Sequence, residues 1–412
     1  MPEFLTLETP QKAYSFLLKH LPPVQKKAVL VETKKSINRV TASPILSPED
    51  TPSFHRSTVD GYAVQASDTF GASETLPAFF KIIGEVPMGS MPGFQLHMGE
   101  AALIHTGGAL PEGANAVVML ENTQLMPPAD LEVYRATAVN ENVVRKGEDL
   151  KAGDVIFPAG VKLGPAQIGG LLALGILQVP VAIQPQVAII SSGDEVVNPE
   201  EKPLPGQIRD INGYALASLV ESWGGVPNIF GIIPDRPELL EKAVRKGLAE
   251  ADMVVITAGS SASTRDLTSE VINRCGKPGV LIHGINIKPG KPTIMGVCDE
   301  KPVIGLPGNP VSAIVIARMF VTRLVARLSG LTRDLPFAGY QATITTNVPS
   351  MAGREDWVPV NLRQESGKLF ADPIFFKSSL IFNLASADGL ALIPADVTGY
   401  GSGEQVFVIP LY

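Results

Sequence analysis

Apolar and polar positions change their period several times along the chain, and each change suggests a different unit. Residues 9–20, "TPQKAYSFLLKH", carry apolar side chains at helical spacing, with Thr9 placed as N-cap and Pro10 in the first helical position. From about 52 to 147 the pattern becomes short alternating segments, "GYAV", "AFFKIIGEV" and "NAVVMLENT", cut by Gly/Pro turns, which predicts a small β-domain. Helix-like content returns over 148–182 with "GPAQIGGLLALGIL". The pieces 1–51 and 148–183 are alike in character, so they are expected to form one discontinuous linking domain with the β-domain (52–147) inserted between them.

From 184 to 330 apolar runs alternate with loops and helices. "QVAIISSGDEV", "IFGIIPDRPELLEKAV", "ADMVVITAGSSAS" and "KPVIGLPGNPVSAIVIARMF" each read as a strand ending in a small-residue or acidic loop. Repeated strand, loop and helix predicts a parallel sheet with helices on its faces. The loops should then share the carboxyl edge of the strands, where open α/β folds bind ligands. Residues 331–412 return to short strands, "YQATITTNV", "LALIPADV" and "EQVFVIPLY", and predict a separate C-terminal β-domain. The expected fold is thus multidomain α/β plus β.

Composition narrows the function classes. The 412 residues suit two to four domains at roughly 100–200 residues each. Hydrophobic content of 45% against 18% charged allows sizeable cores and argues against disorder. A net charge of -7 argues against nucleic acid as partner, since a phosphate backbone needs a basic face. Two cysteines, Cys275 and Cys298, make neither a disulfide framework nor a zinc site and read as packed, reduced thiols of a cytoplasmic protein. The start lacks the order of a signal peptide, and the least charged stretch, Gly164 to Ile190, is broken by Pro165, Gln178, Pro180 and Pro185, so no membrane span is expected.

The candidate chemistry sits at the strand ends. In "LPGNPVSA", Asn309 suits an N-cap and Pro310 the first turn, while Gly308 lets backbone N–H groups approach an anion. In "INIKPGKPTI", Lys288 and Lys291 flank a Pro-Gly turn that spaces two cations for a phosphate or oxyanion. Asp194, Glu195, Asp235 and Asp266 fall in or after strand-end loops. Carboxylates there would repel a phosphate unless a divalent cation such as Mg²⁺ lay between them, although capping is the plainer role for Asp235. In the inserted domain, Asp60 before Gly61, Thr106 before Gly107-Gly108, and Glu148 near the boundary are each consistent with ordinary turn chemistry.

Taken together, "STVDGYAV", "HTGGALPEGANAVVMLE", "RKGEDLKAGD", "SSGDEVVNP…GQIRDIN", "IKPGKP" and "GLPGNPVSA" occur in an order and spacing that resemble the MoeA family of molybdopterin molybdenumtransferases, similar in turn to the E domain of gephyrin. The resemblance implies elongated homodimers with four domains per subunit and a C-terminal β-barrel-like domain. It implies insertion of molybdenum from molybdate into adenylylated molybdopterin, with Mg²⁺ and release of AMP, in a cleft between the α/β domain and the partner subunit's inserted domain. It implies catalytic roles for Asp60, Thr106, Glu148, Glu195, Asp235 and Asp266. Metal contacts fall to Asp194, Glu195, Asp235 and Asp266. Ligand contacts fall to Ser192, Gly193, Asp194, Gly259, Ser260, Ser261, Lys288, Lys291, Pro307, Gly308, Asn309, Pro310 and Ser312. Other cofactor-biosynthesis proteins and acceptor apoenzymes are further implied partners. The family loop "GGVSxGxxD" stands here as "AGSSASTRD", with Thr264 at a glycine position and Leu267 after the acid; Pro359 replaces an arginine, and Gly284, beside His283, a basic residue. The same resemblance is compatible with a tungstate-specific paralogue, or with a non-catalytic carrier or scaffold dimer.

Overall fold

The computed structural model describes residues 7–24, 27–258, 262–332, 337–375 and 377–411, side chains excepted at 262–266. Near the N-terminus, the helix Pro10–Lys19 follows Thr9, whose hydroxyl accepts from the Lys12 N–H at 3.3 Å. Its buried face (Ala13, Tyr14, Leu17) belongs to the core of the α/β unit, a departure from the expectation that all of 1–51 would pack with 148–183. The chain next pairs with that distant piece: Ala28–Glu32 lies antiparallel to Gln178–Ala182, and Ile45–Leu46 antiparallel to Val155–Phe157. Between these crossings a six-stranded sheet forms from Gly61–Val64, Ala78–Glu85, Glu100–Ile104, Ala116–Met119, Thr123–Met126 and Asp130–Val133.

The α/β unit is built on six strands: β1 (Gln186–Ser192), β2 (Val226–Ile233), β3 (Met253–Ala258), β4 (Pro278–His283), β5 (Ile294–Cys298) and β6 (Lys301–Pro307). Their spatial order is β2-β1-β3-β6-β5-β4. Strands β2, β1, β3 and β6 run parallel, and β5 runs antiparallel to both its neighbours. The expected parallel sheet is therefore interrupted by one hairpin. Its turn residues Asp299 and Glu300 both take positive φ (48° and 72°), the twist that suits a two-residue hairpin.

Helices cover both faces, so β1 and β3 are apolar on both sides. Val187 and Ile189 of β1 and Met253 and Val255 of β3 face helices α1 (Asn212–Ser222) and α4 (Pro310–Ile316). The alternate residues Ala188, Ile190, Val254 and Ile256 face α2 (Pro237–Glu250) and α3 (Ala262–Cys275). All eight of these strand side chains are fully buried.

Beyond residue 337, Tyr340–Ile344, Glu355–Glu365, Lys368–Pro373, Gly389–Ile393 and Gln405–Pro410 close into a five-stranded barrel, because Glu355–Glu365 pairs with both Lys368–Pro373 and Gly389–Ile393. A short strand of the α/β unit, Ile287–Lys288, joins the barrel in parallel with Glu355 and Asp356. No helix among the described residues is long and apolar enough to cross a membrane.

Candidate active site

Because β2, β1, β3 and β6 are parallel neighbours, their following loops share one sheet edge. Strand β4, which is antiparallel to β5, ends at that edge too, so the lysine turn 288–291 lies on it. Strand order reverses about β1, and the gap between β1 and β3 is the place where such sheets open a crevice. A cleft of about 340 Å³ occupies it, lined by Ser191, Ser192, Glu195, Val196, Ile208, Arg209, Asp210, Ile211, Asn212, Thr257, Gly308, Asn309, Pro310 and Ser379. One wall is a ribbon in which Val196–Val197 pairs with Ile208–Arg209.

The floor of the cleft is polar and tightly bonded. Ser191 Oγ donates to Asp210 Oδ2 at 2.7 Å, and the Gly213 N–H donates to Asp210 Oδ1 at 3.0 Å. Asp210 is 5% exposed, so its charge is held by these donors rather than by water. Asn212 donates from Nδ2 to the Gly308 carbonyl at 2.8 Å, which ties the start of α1 to the loop before α4. Its Oδ1 is buried and has no hydrogen-bond partner among the described residues.

The acidic loops meet beside this floor. Ser192 Oγ donates to Asp235 Oδ1 at 2.7 Å, and the Asp235 N–H donates to Asp194 Oδ1 at 3.2 Å. Asp235 is not the N-cap of α2, as its sequence context suggested: Arg236 holds that place, and the Asp235 side chain turns back to β1. Glu195 folds over Gly193, where an added Cβ would stand 2.7 Å from Glu195 Oε2. Among the described residues no group of three or more His, Cys, Asp or Glu side chains is placed to hold a metal ion. Asp194 and Asp235, which the Asp235 N–H bond brings together, are oxygen donors of the kind Mg²⁺ takes one or two at a time alongside waters and ligand phosphates.

On the β6 side, Pro307 is buried at the strand end, Gly308 and Asn309 line the cleft, and Ser312 is buried in the first turn of α4. Asn309 holds the N-cap position but makes no cap bond; its Nδ2 donates to Ser378 Oγ at 3.1 Å, and the Val311 N–H donates to the Ser378 carbonyl. The loop of the barrel domain carrying Ser378 and Ser379 thus reaches the cleft. Lys291 is exposed on the shared edge, and Lys288 lies 3.9 Å from Asp356 of the barrel. Gly259, Ser260 and Ser261 lie outside the described residues, as does the side chain of Asp266, and with it that of Thr264. Leu267 packs against the α2–α3 core, Pro359 is buried in the barrel, and His283 is half-buried in register with Ile294.

Asp60 and Thr106 form a second group, in the inserted domain. Asp60 Oδ1 accepts from the Thr106 N–H at 2.8 Å and from Thr106 Oγ1 at 3.1 Å. These two bonds, the backbone one first, hold the Asp60 carboxyl below its ordinary range. His105 bridges Asp60 and Glu85, with Nε2 3.0 Å from Glu85 Oε1 and Nδ1 3.8 Å from Asp60 Oδ1. Gly61 follows because a Cβ there would stand 2.0 Å from the Val118 carbonyl oxygen of the neighbouring strand. Glu148 is held by the Arg145 N–H at 2.9 Å in a separate turn, a bond that lowers its pKa. No bond among the described residues joins Asp60, Thr106 or Glu148 to the α/β cleft, and none of the cleft's lining residues comes from the inserted sheet.

Asp210, Asn212, Thr257 and Ser379 were not singled out from sequence. The stretch "GQIRDIN" held a signal for the first two, but nothing in the barrel sequence points Ser379 toward a loop of the neighbouring α/β unit.

Comparison with known proteins agrees with this arrangement throughout the chain. Three family models match in order: the MoeA N-terminal region (domain I and II) over residues 8–175, a "Probable molybdopterin binding domain" over 188–327, and the MoeA C-terminal region (domain IV) over 341–411. A protein of Haemophilus influenzae named molybdopterin molybdenumtransferase is 32% identical, with 98% of each chain covered. One of the same name from Nostoc is 32% identical over 94% of this chain and 89% of its own. A crystal structure of a molybdopterin biosynthesis MoeA protein from Pyrococcus horikoshii superposes with a TM-score of 0.84 at 31% identity, covering 98% of this chain and all of that one. Likeness of this extent, in sequence and in fold, places the chain in the MoeA family.

Proposed function

We propose that the protein is a molybdopterin molybdenumtransferase that inserts molybdenum from molybdate into adenylylated molybdopterin and releases AMP. The observation that carries this reading is the sheet-edge cleft itself, lined by Glu195 of the acidic corner and by Gly308 and Asn309 before α4, with the lysine-bearing turn farther along the same edge. A ligand with both phosphate and neutral hydrogen-bonding groups suits that set. Gly308 and the start of α4 receive an anionic group. Lys288 and Lys291 take the remaining phosphate or metalate charge. Asp194, Glu195 and Asp235 would hold Mg²⁺, which when bound offsets the repulsion between these carboxylates and the ligand's phosphates. Among the described residues lining the cleft there is no Ser–His or Cys–His pair, so the protein's contribution is positioning and charge neutralisation.

Asp60 and Thr106 act at the metal-transfer step. They sit on a different unit from the cleft, and the family resemblance implies that the complete site takes its Asp60 from the partner subunit of a homodimer. The Asp60 carboxylate is ionised at neutral pH through its two Thr106 bonds and is available to the incoming metal.

The test is AMP release from adenylylated molybdopterin with Mg²⁺ and either oxyanion. Release that depends on molybdate supports the reading. Release with tungstate alone would assign a tungsten enzyme instead. A protein that binds the pterin and releases nothing with either oxyanion would be a carrier, and the reading would fall.

A further inference from the structure

The lysine turn is fastened on two sides. Toward the α/β unit, Gly290 lies so close to α4 that a Cβ there would stand 2.3 Å from Ile316 Cγ1, and Thr293 Oγ1 donates to the Gly290 carbonyl at 2.6 Å. Toward the barrel, Ile287 and Lys288 pair with Glu355 and Asp356. The Asp356 carboxylate is 2% exposed and is shared by two cations. Arg354 binds it twice, Nε to Oδ1 at 2.6 Å and Nη2 to Oδ2 at 2.9 Å, while Lys288 Nζ stands 3.9 Å from Oδ2 with 60% of its side chain exposed.

These two contacts differ in kind. A planar guanidinium gripping both carboxylate oxygens is a strong, directional pair; an exposed ammonium at 3.9 Å is a weak one. A buried carboxylate that lost its bidentate partner would demand another counter-charge. Lys288 is the next cation in reach.

We infer that Arg354 is a positioning residue for Lys288. By satisfying Asp356 it keeps the lysine ammonium free at the sheet edge for a tetrahedral oxyanion, while Asp356 and the strand pairing fix where that ammonium starts. The barrel domain thereby sets the anion affinity of the lysine turn on the α/β sheet edge. The inference rests on the reading of Lys288 as an anion ligand.

The experiment is isothermal titration of molybdate at low ionic strength into the wild-type dimer and four variants. Arg354→Gln should weaken molybdate by about fivefold or more, a loss of order 1 kcal/mol. Asp356→Asn should bind at least as tightly as wild type. The double variant should recover wild-type affinity, because the carboxylate that captures Lys288 is gone. A merely structural ion pair would instead weaken all three. An unchanged Arg354→Gln, or a double variant as weak as Arg354→Gln, overturns the inference. Should Arg354→Gln fail to fold, Asp356→Asn decides alone, and weaker binding there overturns it. Lys288→Met separates the two levels: if it leaves molybdate binding unchanged, the anion role of Lys288 fails first; if it weakens binding while Arg354→Gln does not, only the present inference falls.

Discussion

Ser192 and Asp235 meet across the gap between neighbouring strands, with Ser192 Oγ donating to Asp235 Oδ1 at 2.7 Å. The bond locks the loop after β1 to the loop after β2, and both carry carboxylates of the candidate Mg²⁺ site. A hydrogen bond to a charged acceptor is worth about 1.5–3 kcal/mol. Ser192→Ala should therefore weaken Mg²⁺-dependent binding of adenylylated molybdopterin by about tenfold or more. Tm should fall by only a few degrees, about 2–4 °C per kcal/mol lost. Titration with and without Mg²⁺ measures both, and equal affinity in the variant would remove Asp235 from the site.

On the proposed reading Asp60 supplies charge to the transfer step. Asp60→Asn keeps the fold and pterin binding and should lower turnover by about a hundredfold or more. The folded pKa of Asp60 is depressed, so the carboxylate persists below the ordinary aspartate range as pH falls. Thr106→Val removes the hydroxyl donor and leaves the backbone one, which moves that pKa upward. The acid limb of the pH–rate profile should shift to higher pH in Thr106→Val, and an unmoved limb would separate Asp60 from the rate.

Burial pushes the Cys275 thiol up to about 11 and the Cys298 thiol up to about 12. Neither is a thiolate at neutral pH. Iodoacetamide at pH 8 should leave the native protein unlabelled, and both positions should label in guanidinium chloride. Rapid labelling of the native state would contradict the packing of α3 against β5.

Glu355 stands in the strand register beside the lysine turn, and desolvation raises its pKa. The folded state then binds its proton more tightly than the unfolded state. Stability contributed by the protonated form is present at low pH and is lost as pH rises from about 4.5 through the folded pKa. Glu355→Gln should raise stability at pH 7 by an amount of order 1 kcal/mol and have little effect below pH 4. Denaturant melts at the two pH values test the sign.

The α/β unit was the most legible part of the chain. Four apolar runs with loops and helices between them specify parallel neighbours, and the edge they share follows from topology alone. The β5–β6 hairpin was not legible, because Asp299-Glu300 adopts positive φ without the Asn-Gly chemistry that announces such a turn. Asp235 was read as a helix cap because a residue two before a helix looks the same in sequence whichever way its side chain points. Its actual partner, Ser192, is 43 residues away on another strand. The grip of Arg354 on Asp356 spans two residues, but its meaning depends on Lys288, which reaches it only through the strand pairing between the α/β unit and the barrel. Such long-range pairings leave no local mark.

The central claim is that one site is assembled from two half-sites, Asp60 with Thr106 on one subunit and the Asp235 corner on the other. Co-expression of Asp60→Asn chains with Asp235→Asn chains tests it directly. Each homodimer should be inactive. Each mixed dimer holds one intact site, so a random mixture should recover about a quarter of wild-type molybdate-dependent AMP release. A mixture as inactive as its parents would contradict the account, because it would mean that both half-sites must come from the same chain.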